Sequence, residues 1–411
     1  MVEDPAEAQD ADVGVNVSLT AAETALLQQM KTGPWKPDIV EQAGTMLCNL
    51  LKTQPAIGRD FALRLNPATV EGPIYLRVEP PEMDEWPWEA LNDPAAGFLA
   101  LNRPWPIARV KRVPAPKPEY VFEPPLRIMA VLGASGPDGP TRVPARDEWL
   151  ELFGAVSRSP LNVDLRVLVA EDDLHTEIQN LALPWVRASF LTDTDGLFRD
   201  IKEFAPQILH FFCHGKAASP PFLQIGSRID WRRKEDGTIN VDASQLRDRA
   251  DTERNIWLVT LNCCESAQAD GQGVRSRPMA SSLVLGGFPA VVGMRERVES
   301  QNANRFCGLW YEHLLEELTH MFRAGNGAAA PHELQWGRAL FAARQGICTL
   351  VDKATPIAEC APRIVEWTIP VLYTRYQPFL IRLVPDPHGT SSLLRAPAPA
   401  GPPGPPVPAP A

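Results

Sequence analysis

An α/β fold with a mostly parallel sheet and helices on both faces is what this sequence predicts, from three observations. Apolar runs at 127–132, 207–214 and 256–263 are nearly unbroken, the pattern of strands covered on both sides. Segments with helical apolar spacing lie among them, at 147–157, 195–204 and 302–318. Strands alternating with helices along the chain favour crossover connections, and hence a parallel sheet.

Taken in order, residues 1–34 are rich in Ala, Asp and Glu and read as a flexible leader, with room for one short helix at 21–30. Helical spacing follows at 39–52, where Val40, Ala43, Met46, Leu47, Leu50 and Leu51 fall on one side. Residues 74–78 alternate like a strand and precede the Trp- and Pro-rich stretch 86–91. Beyond residue 126 the expected order is strand 127–132, helix 147–157, strand 163–169, helix 195–204 and strand 207–214. Strand 256–263, helix 279–286, strand 289–294, helices 302–318 and 334–345 and a last strand at 368–373 complete it. Residues 396–411 hold eight prolines in sixteen positions, so an extended, mobile spacer is expected there. The implied organisation is a leader (1–34), an N-terminal part (35–122), a core (123–385) and a disordered Pro/Ala-rich tail (386–411). No repeat of 20–50 residues is visible, which argues against a solenoid.

Composition narrows the function. A net charge of −10 without a basic stripe argues against a nucleic-acid partner, and Arg232-Arg233-Lys234 reads as a solvated loop. No apolar stretch approaches the ~20 residues of a membrane span. Seven cysteines, an odd number without a CxxC pair, point to free thiols in a reducing compartment. The acidic N-terminus is unlike a secretory signal, so a cytoplasmic location is expected.

Reactive groups in open α/β sheets collect beyond the carboxyl ends of strands. Two of the apolar runs end in such groups, one at His214 before Gly215, the other at Cys263-Cys264 before Glu265-Ser266. An imidazole within reach of a thiol lowers its pKa and carries the proton to a leaving amine. Gly215, lacking a Cβ, lets the backbone approach a substrate carbonyl, so its N–H and that of Cys264 are candidate oxyanion donors. On chemical grounds alone, a cysteine or histidine at a strand end is more often a buried structural residue.

Further motifs bear on that choice. The segments ILHFFCHG (208–215) and IWLVTLNCCESA (256–267) resemble the His and Cys motifs of the CHAT domain family, part of the caspase and separase clan of cysteine peptidases. Trp86-Pro87-Trp88-Glu89-Ala90-Leu91 followed by Phe98-Leu99-Ala100-Leu101 resembles that family's PWE-x-L and FLAL segments. The stretch 285–294 resembles its AVV strand, and 306–314, with Trp310-Tyr311, its following helix. These motifs occur in the family's order across roughly residues 38–380. The resemblance implies a caspase-like fold and a cysteine endopeptidase acting on a protein substrate, with Cys264 as nucleophile and His214 as general base. It implies no cofactor, an activating or recruiting protein partner and, by analogy, a part in bacterial defence or signalling. It also selects Cys264 over Cys263, because an acidic residue and a small hydroxylated one follow Cys264. Neighbours on a strand face opposite sides, so one of the two meets His214. Related metacaspase-like enzymes carry Asp two residues before the nucleophile. Asn262 stands there in this chain, which leaves an acid-lined pocket for a basic side chain unsupported. A catalytically silent interaction module is the alternative reading.

Competing chemistries find less support. A zinc site from His210, Cys213, His214, Cys263 and Cys264 fails on spacing, since i,i+4 along a strand spans ~13 Å; no metal is expected and His210 reads as core. The glycine-rich 133–139 lacks a phosphate-binding pattern and reads as a turn. Glu171-Asp172-Asp173 reads as a solvated loop without calcium-loop spacing. No G-x-S-x-G elbow is present.

Overall fold

The computed structural model describes residues 18–32, 38–65, 72–78, 81–102, 105–113, 120–134, 145–216, 220–233, 237–250, 255–263, 277–296, 298–325, 331–349, 355–384 and 393–395. Its centre is a nine-stranded sheet. In chain order the strands are β1 (Ile74–Leu76), β2 (Ile107–Lys111), β3 (Leu126–Leu132), β4 (Val163–Val169), β5 (Val186–Phe190), β6 (Ile208–Phe212), β7 (Leu258–Leu261), β8 (Ala290–Met294) and β9 (Pro370–Arg375). Across the sheet they run β1-β2-β9-β8-β7-β6-β3-β4-β5. Every neighbouring pair is parallel except β8 and β9. The predicted α/β class with a mostly parallel sheet is the observed one.

Alternation along the inner strands divides their side chains between two apolar layers. Ile128, Ala130 and Leu132 of β3 face one layer, with Trp149 and Leu152 of the helix Arg146–Arg158 and Phe306, Trp310 and Leu314 of the helix Ser300–Gly325. Met129 and Val131 face the other, with Leu197 and Ile201 of the helix Thr194–Phe204 and Leu283 and Val284 of the helix Met279–Leu285. Helices thus cover both sides. Full burial of each such large apolar side chain stabilises the fold by roughly 1.5–3 kcal/mol.

The N-terminal part joins the same sheet. β1 and β2 lie beyond β9, so this segment docks through the sheet's last strand in chain order rather than through β3. The Trp88–Ala90 turn holds Glu89, whose carboxyl accepts from Arg109 Nε at 3.0 Å and Nη2 at 2.6 Å; both residues are buried. Arg109 also donates to the carbonyls of Asp84 and Trp86, while Lys111 Nζ reaches Asp84 Oδ2 at 2.8 Å. The segment resembling the family's PWE motif is therefore a buried ionic clasp on β2. Gly44 of the helix Ile39–Lys52 packs directly beneath it, because a Cβ there would overlap the Ala90 carbonyl oxygen.

Several expectations need correction. Residues 171–173 are not a solvated loop: Glu171 stands immediately before the helix Asp172–Asn180, is buried, and accepts from the Ala145 amide at 2.9 Å, while Asp172 and Asp173 fall in the helix's first turn. Carboxyls at a helix start are favoured by the unpaired N–H groups there. Arg232 likewise belongs to a short helix, Arg228–Arg233, and both it and Arg228 bind Asp172. Opposite charges sixty residues apart meet across the fold, which neither local run announces. Within the segment expected as a disordered tail, Leu393 and Leu394 lie against the core and Leu394 bridges Leu161, while Arg395 stacks over Trp185 at 3.9 Å. The leader's possible helix corresponds to Ala21–Thr32, and the long helix extends beyond 302–318 at both ends. Most of the turn expected at 133–139 lies outside the described residues.

Candidate active site

β7 and β6 lie at the middle of the sheet, and their parallel register pairs Leu258 with Ile208 through Leu261 with Phe211. The offset is a constant fifty residues. Past the paired residues, the Asn262 amide still donates to the Phe211 carbonyl at 2.9 Å. One step further, Cys213 Sγ and Cys263 Sγ lie 3.3 Å apart, both buried. The carboxyl ends of the two strands therefore stay side by side at residues 213 and 263.

His214 opens a short strand, His214–Lys216, in a three-stranded antiparallel sheet with Phe222–Ile225 and Ile239–Asp242. It is half-buried and pairs with Gln224, whereas Gly215 is buried opposite Leu223. Cys264 falls outside the described residues. Cys263 is 1% exposed, and burial together with the adjoining Cys213 thiol pushes its thiol pKa well above the ordinary range. Such a thiol is a poor nucleophile at neutral pH.

The sequence-level zinc grouping does not assemble. Cys213 and Cys263 face the layer that contains Leu197 and Leu283. His210 faces the opposite side, 2.9 Å from Glu148 Oε1 of the helix Arg146–Arg158 and edge-on to the Tyr311 ring. That contact lacks hydrogen-bond geometry, and His210 Nδ1 also has no hydrogen-bond partner. Instead, one donor atom each from Glu148, His210 and Cys307 lie within 4.8 Å of one another, all buried. Burial first, then the Glu148 charge, pushes the Cys307 thiol well up. Sequence reasoning missed both: Glu148 belongs to no motif, and Cys307, although inside the 306–314 stretch, is one more apolar-looking position of an amphipathic helix.

Asn262 completes this cluster. Its side-chain amide donates to Glu148 Oε1 at 2.7 Å and to the Ala303 carbonyl at 2.9 Å, and it is 2% exposed. It is a residue anchored in the core, not a pocket wall.

Fold and site together define an α/β protein whose two central parallel strands bring a Cys-rich and a His-bearing end together. A CHAT domain profile matches residues 53–330, and the chain belongs to the CHAT domain family. Among solved structures, a Saccharomyces cerevisiae separase–securin complex matches at 15% identity and TM-score 0.40, over 82% of this chain and 18% of that one. A second crystal structure of that complex matches at 16% identity and TM-score 0.37, over 74% and 15%. The Arg-specific cysteine proteinase gingipain R matches at 9% identity and TM-score 0.33, over 66% and 47%. This chain thus spans less than half the length of each of these structural neighbours. No curated protein matches it.

Proposed function

We propose that this protein is a CHAT-domain cysteine endopeptidase in which Cys264 is the nucleophile and His214 the general base. The observation that carries this reading is the fifty-residue offset between β6 and β7, still held at the Cys213–Cys263 sulfur contact. If that offset carried on by one residue, position 264 would fall opposite His214, and this expectation supports the dyad. Alternation supports the choice of cysteine, since Cys263 is committed to the layer shared with Cys213.

In this mechanism His214 takes the Cys264 thiol proton and the thiolate attacks the scissile carbonyl. The Gly215 and Cys264 amides stabilise the tetrahedral oxyanion. His214 returns the proton to the leaving amine, and a water it then activates releases the acyl group. No cofactor enters this scheme. The substrate is a protein, and an activating or recruiting protein partner is the expected regulator. Six described cysteines (Cys48, Cys213, Cys263, Cys307, Cys348 and Cys360) are free and buried, in keeping with a cytoplasmic setting. Among the described residues no helix is long and apolar enough to cross a membrane.

The test is labelling with a thiol-directed acyloxymethyl ketone peptide, read by mass spectrometry at Cys264, alongside co-expression with the products of neighbouring genes. Label on Cys264 that His214→Ala suppresses, and cleavage that Cys264→Ala abolishes, support the proposal. Label that survives Cys264→Ala overturns the choice of Cys264 and points to another thiol, Cys263 first; no label and no cleavage at all favours a silent interaction module.

A further inference from the structure

The polar cluster beneath β6 and β7 sits in a layer that is otherwise apolar. Glu148 and His210 are fully buried and Asn262 nearly so. Burying three polar side chains is costly unless their contacts offset the lost hydration, so the cluster calls for a role. We propose that Glu148 is a positioning residue, holding the ends of β6 and β7 together so that His214 and Cys264 meet. This rests on the peptidase reading above.

The geometry is specific to the two strands involved. A single oxygen, Glu148 Oε1, is 2.7 Å from Asn262 Nδ2 on the β7 side and 2.9 Å from His210 Nε2 on β6. Asn262 stands two residues before Cys264, and His210 four before His214. Asn262 is also where the main-chain ladder between β6 and β7 reaches its last described bond, Asn262 N–H to Phe211 O. Where backbone pairing stops, the side-chain clamp begins. Its second arm, from Asn262 to the Ala303 carbonyl, ties the same point to the helix Ser300–Gly325. On the opposite face the Cys213–Cys263 contact closes against the second apolar layer. The two strand ends are therefore held from both sides, by Cys263 reaching Cys213 and the Phe211 carbonyl (3.5 Å) on one face and by the Glu148–Asn262 hydrogen bond, with His210 packed against the same carboxyl, on the other.

A displacement of about 1 Å between reacting groups costs on the order of 100-fold in rate. Loss of the clamp is expected to appear in the rate of Cys264 alkylation and not in probe affinity. The experiment compares wild type, Glu148→Ala, Glu148→Gln and Asn262→Ala by two readouts. One is kinact and KI for the ketone probe. The other is backbone hydrogen exchange, measured in a Cys264→Ala background and so independent of catalysis.

The proposal expects Glu148→Ala to lower kinact about 100-fold at unchanged KI. It also expects faster exchange at 211–214 and 261–263 while β4 and β5 stay protected. Glu148→Gln keeps an oxygen for Asn262 and should recover most of both. Should Glu148→Ala fail to fold, Asn262→Ala removes both side-chain bonds of Asn262 while leaving Glu148 beside His210, and must give the same local pattern. Exchange that rises evenly over the sheet, or not at the strand ends, overturns the proposal. So does one equivalent of zinc in the purified protein that Glu148→Ala releases, because the carboxyl would then be a metal ligand beside His210 and Cys307. Absence of Cys264 labelling in wild type would sink the peptidase reading, and the exchange pattern would still decide whether Glu148 holds the strands.

Discussion

Replacing Glu89 by Gln isolates the charge in the clasp between the 81–91 segment and β2. The substitution keeps the side-chain volume and removes one half of a bidentate pair with Arg109. Glu89 is 1% exposed and Arg109 fully buried, so solvent screening offers no relief. The guanidinium would keep the Asp84 and Trp86 carbonyls and the Tyr373 hydroxyl at 3.4 Å, and its remaining counter-charge would be the Asp84 carboxylate at 3.8 Å, which Lys111 already shares. Breaking a buried pair by removing one partner costs about 3–5 kcal/mol, against about 0–1 kcal/mol for a surface pair. A drop in the first range is expected in urea unfolding at neutral pH, followed by circular dichroism. The pH dependence has a definite sign. Burial alone would raise the Glu89 carboxyl pKa, but Arg109 outweighs it and holds the group below its ordinary value. The pair's contribution is therefore complete above the unfolded carboxyl pKa, about 4.3, and is lost as pH falls through the lower folded value. The gap between wild type and Glu89→Gln should narrow on acidification below about pH 4. A loss under about 1 kcal/mol at neutral pH, or a gap that widens in acid, would refute the assigned clasp.

Other consequences can be checked as directly. Iodoacetamide at neutral pH should leave Cys263 unmodified in the native protein, since its thiol is buried and raised; native-state alkylation at Cys263 would contradict that burial. Gly44→Ala should destabilise by about 1–3 kcal/mol or more, because the obstacle is the Ala90 backbone and not a movable side chain; an unchanged melting temperature would show that the helix Ile39–Lys52 packs elsewhere. Asp172→Asn removes the pairs with Arg228 and Arg232, which are about a third or more exposed, so at most ~1 kcal/mol is at stake. That small effect should fade in 1 M salt, and a salt-independent loss would point to a buried role instead.

The elements legible in the sequence were those whose environment is uniform along their length. β3, β4, β6, β7 and β8 are covered on both faces and so read as apolar runs or dense alternation. β2 escaped notice because Arg109 and Lys111 interrupt its apolar pattern. Their counter-charges, Glu89 and Asp84, lie 20 and 27 residues upstream, and only the folded chain brings them near. β5 carries Arg187 and Ser189 at the sheet edge, where one side need not be apolar. The site was legible as far as strand ends go: His214 and Cys264 stand out because reactive residues follow apolar runs. Glu148 could not be found this way. In RDEWLELF it is one acidic residue among several on an amphipathic helix, and its partners lie 62 and 114 residues further on. Asn262 was visible as an unusual choice, but its inward direction depends on Glu148 and Ala303 being there to receive it.

The docking of β1 and β2 through β9 has a consequence for synthesis. β2 pairs with β1 at once but leaves the ribosome about 260 residues before its other partner, β9. At roughly 5–20 residues per second that wait lasts on the order of 10–50 s. Throughout it, the edge of β2 and the charges of Arg109 and Lys111 have no sheet to join, while β3, β4, β5, β6, β7 and β8 can already assemble. Residues 370–375 thus act as the fastener of the segment that carries β1 and β2, and a nascent chain stalled before residue 370 would display an unpaired β8 edge to chaperones and to other copies of itself.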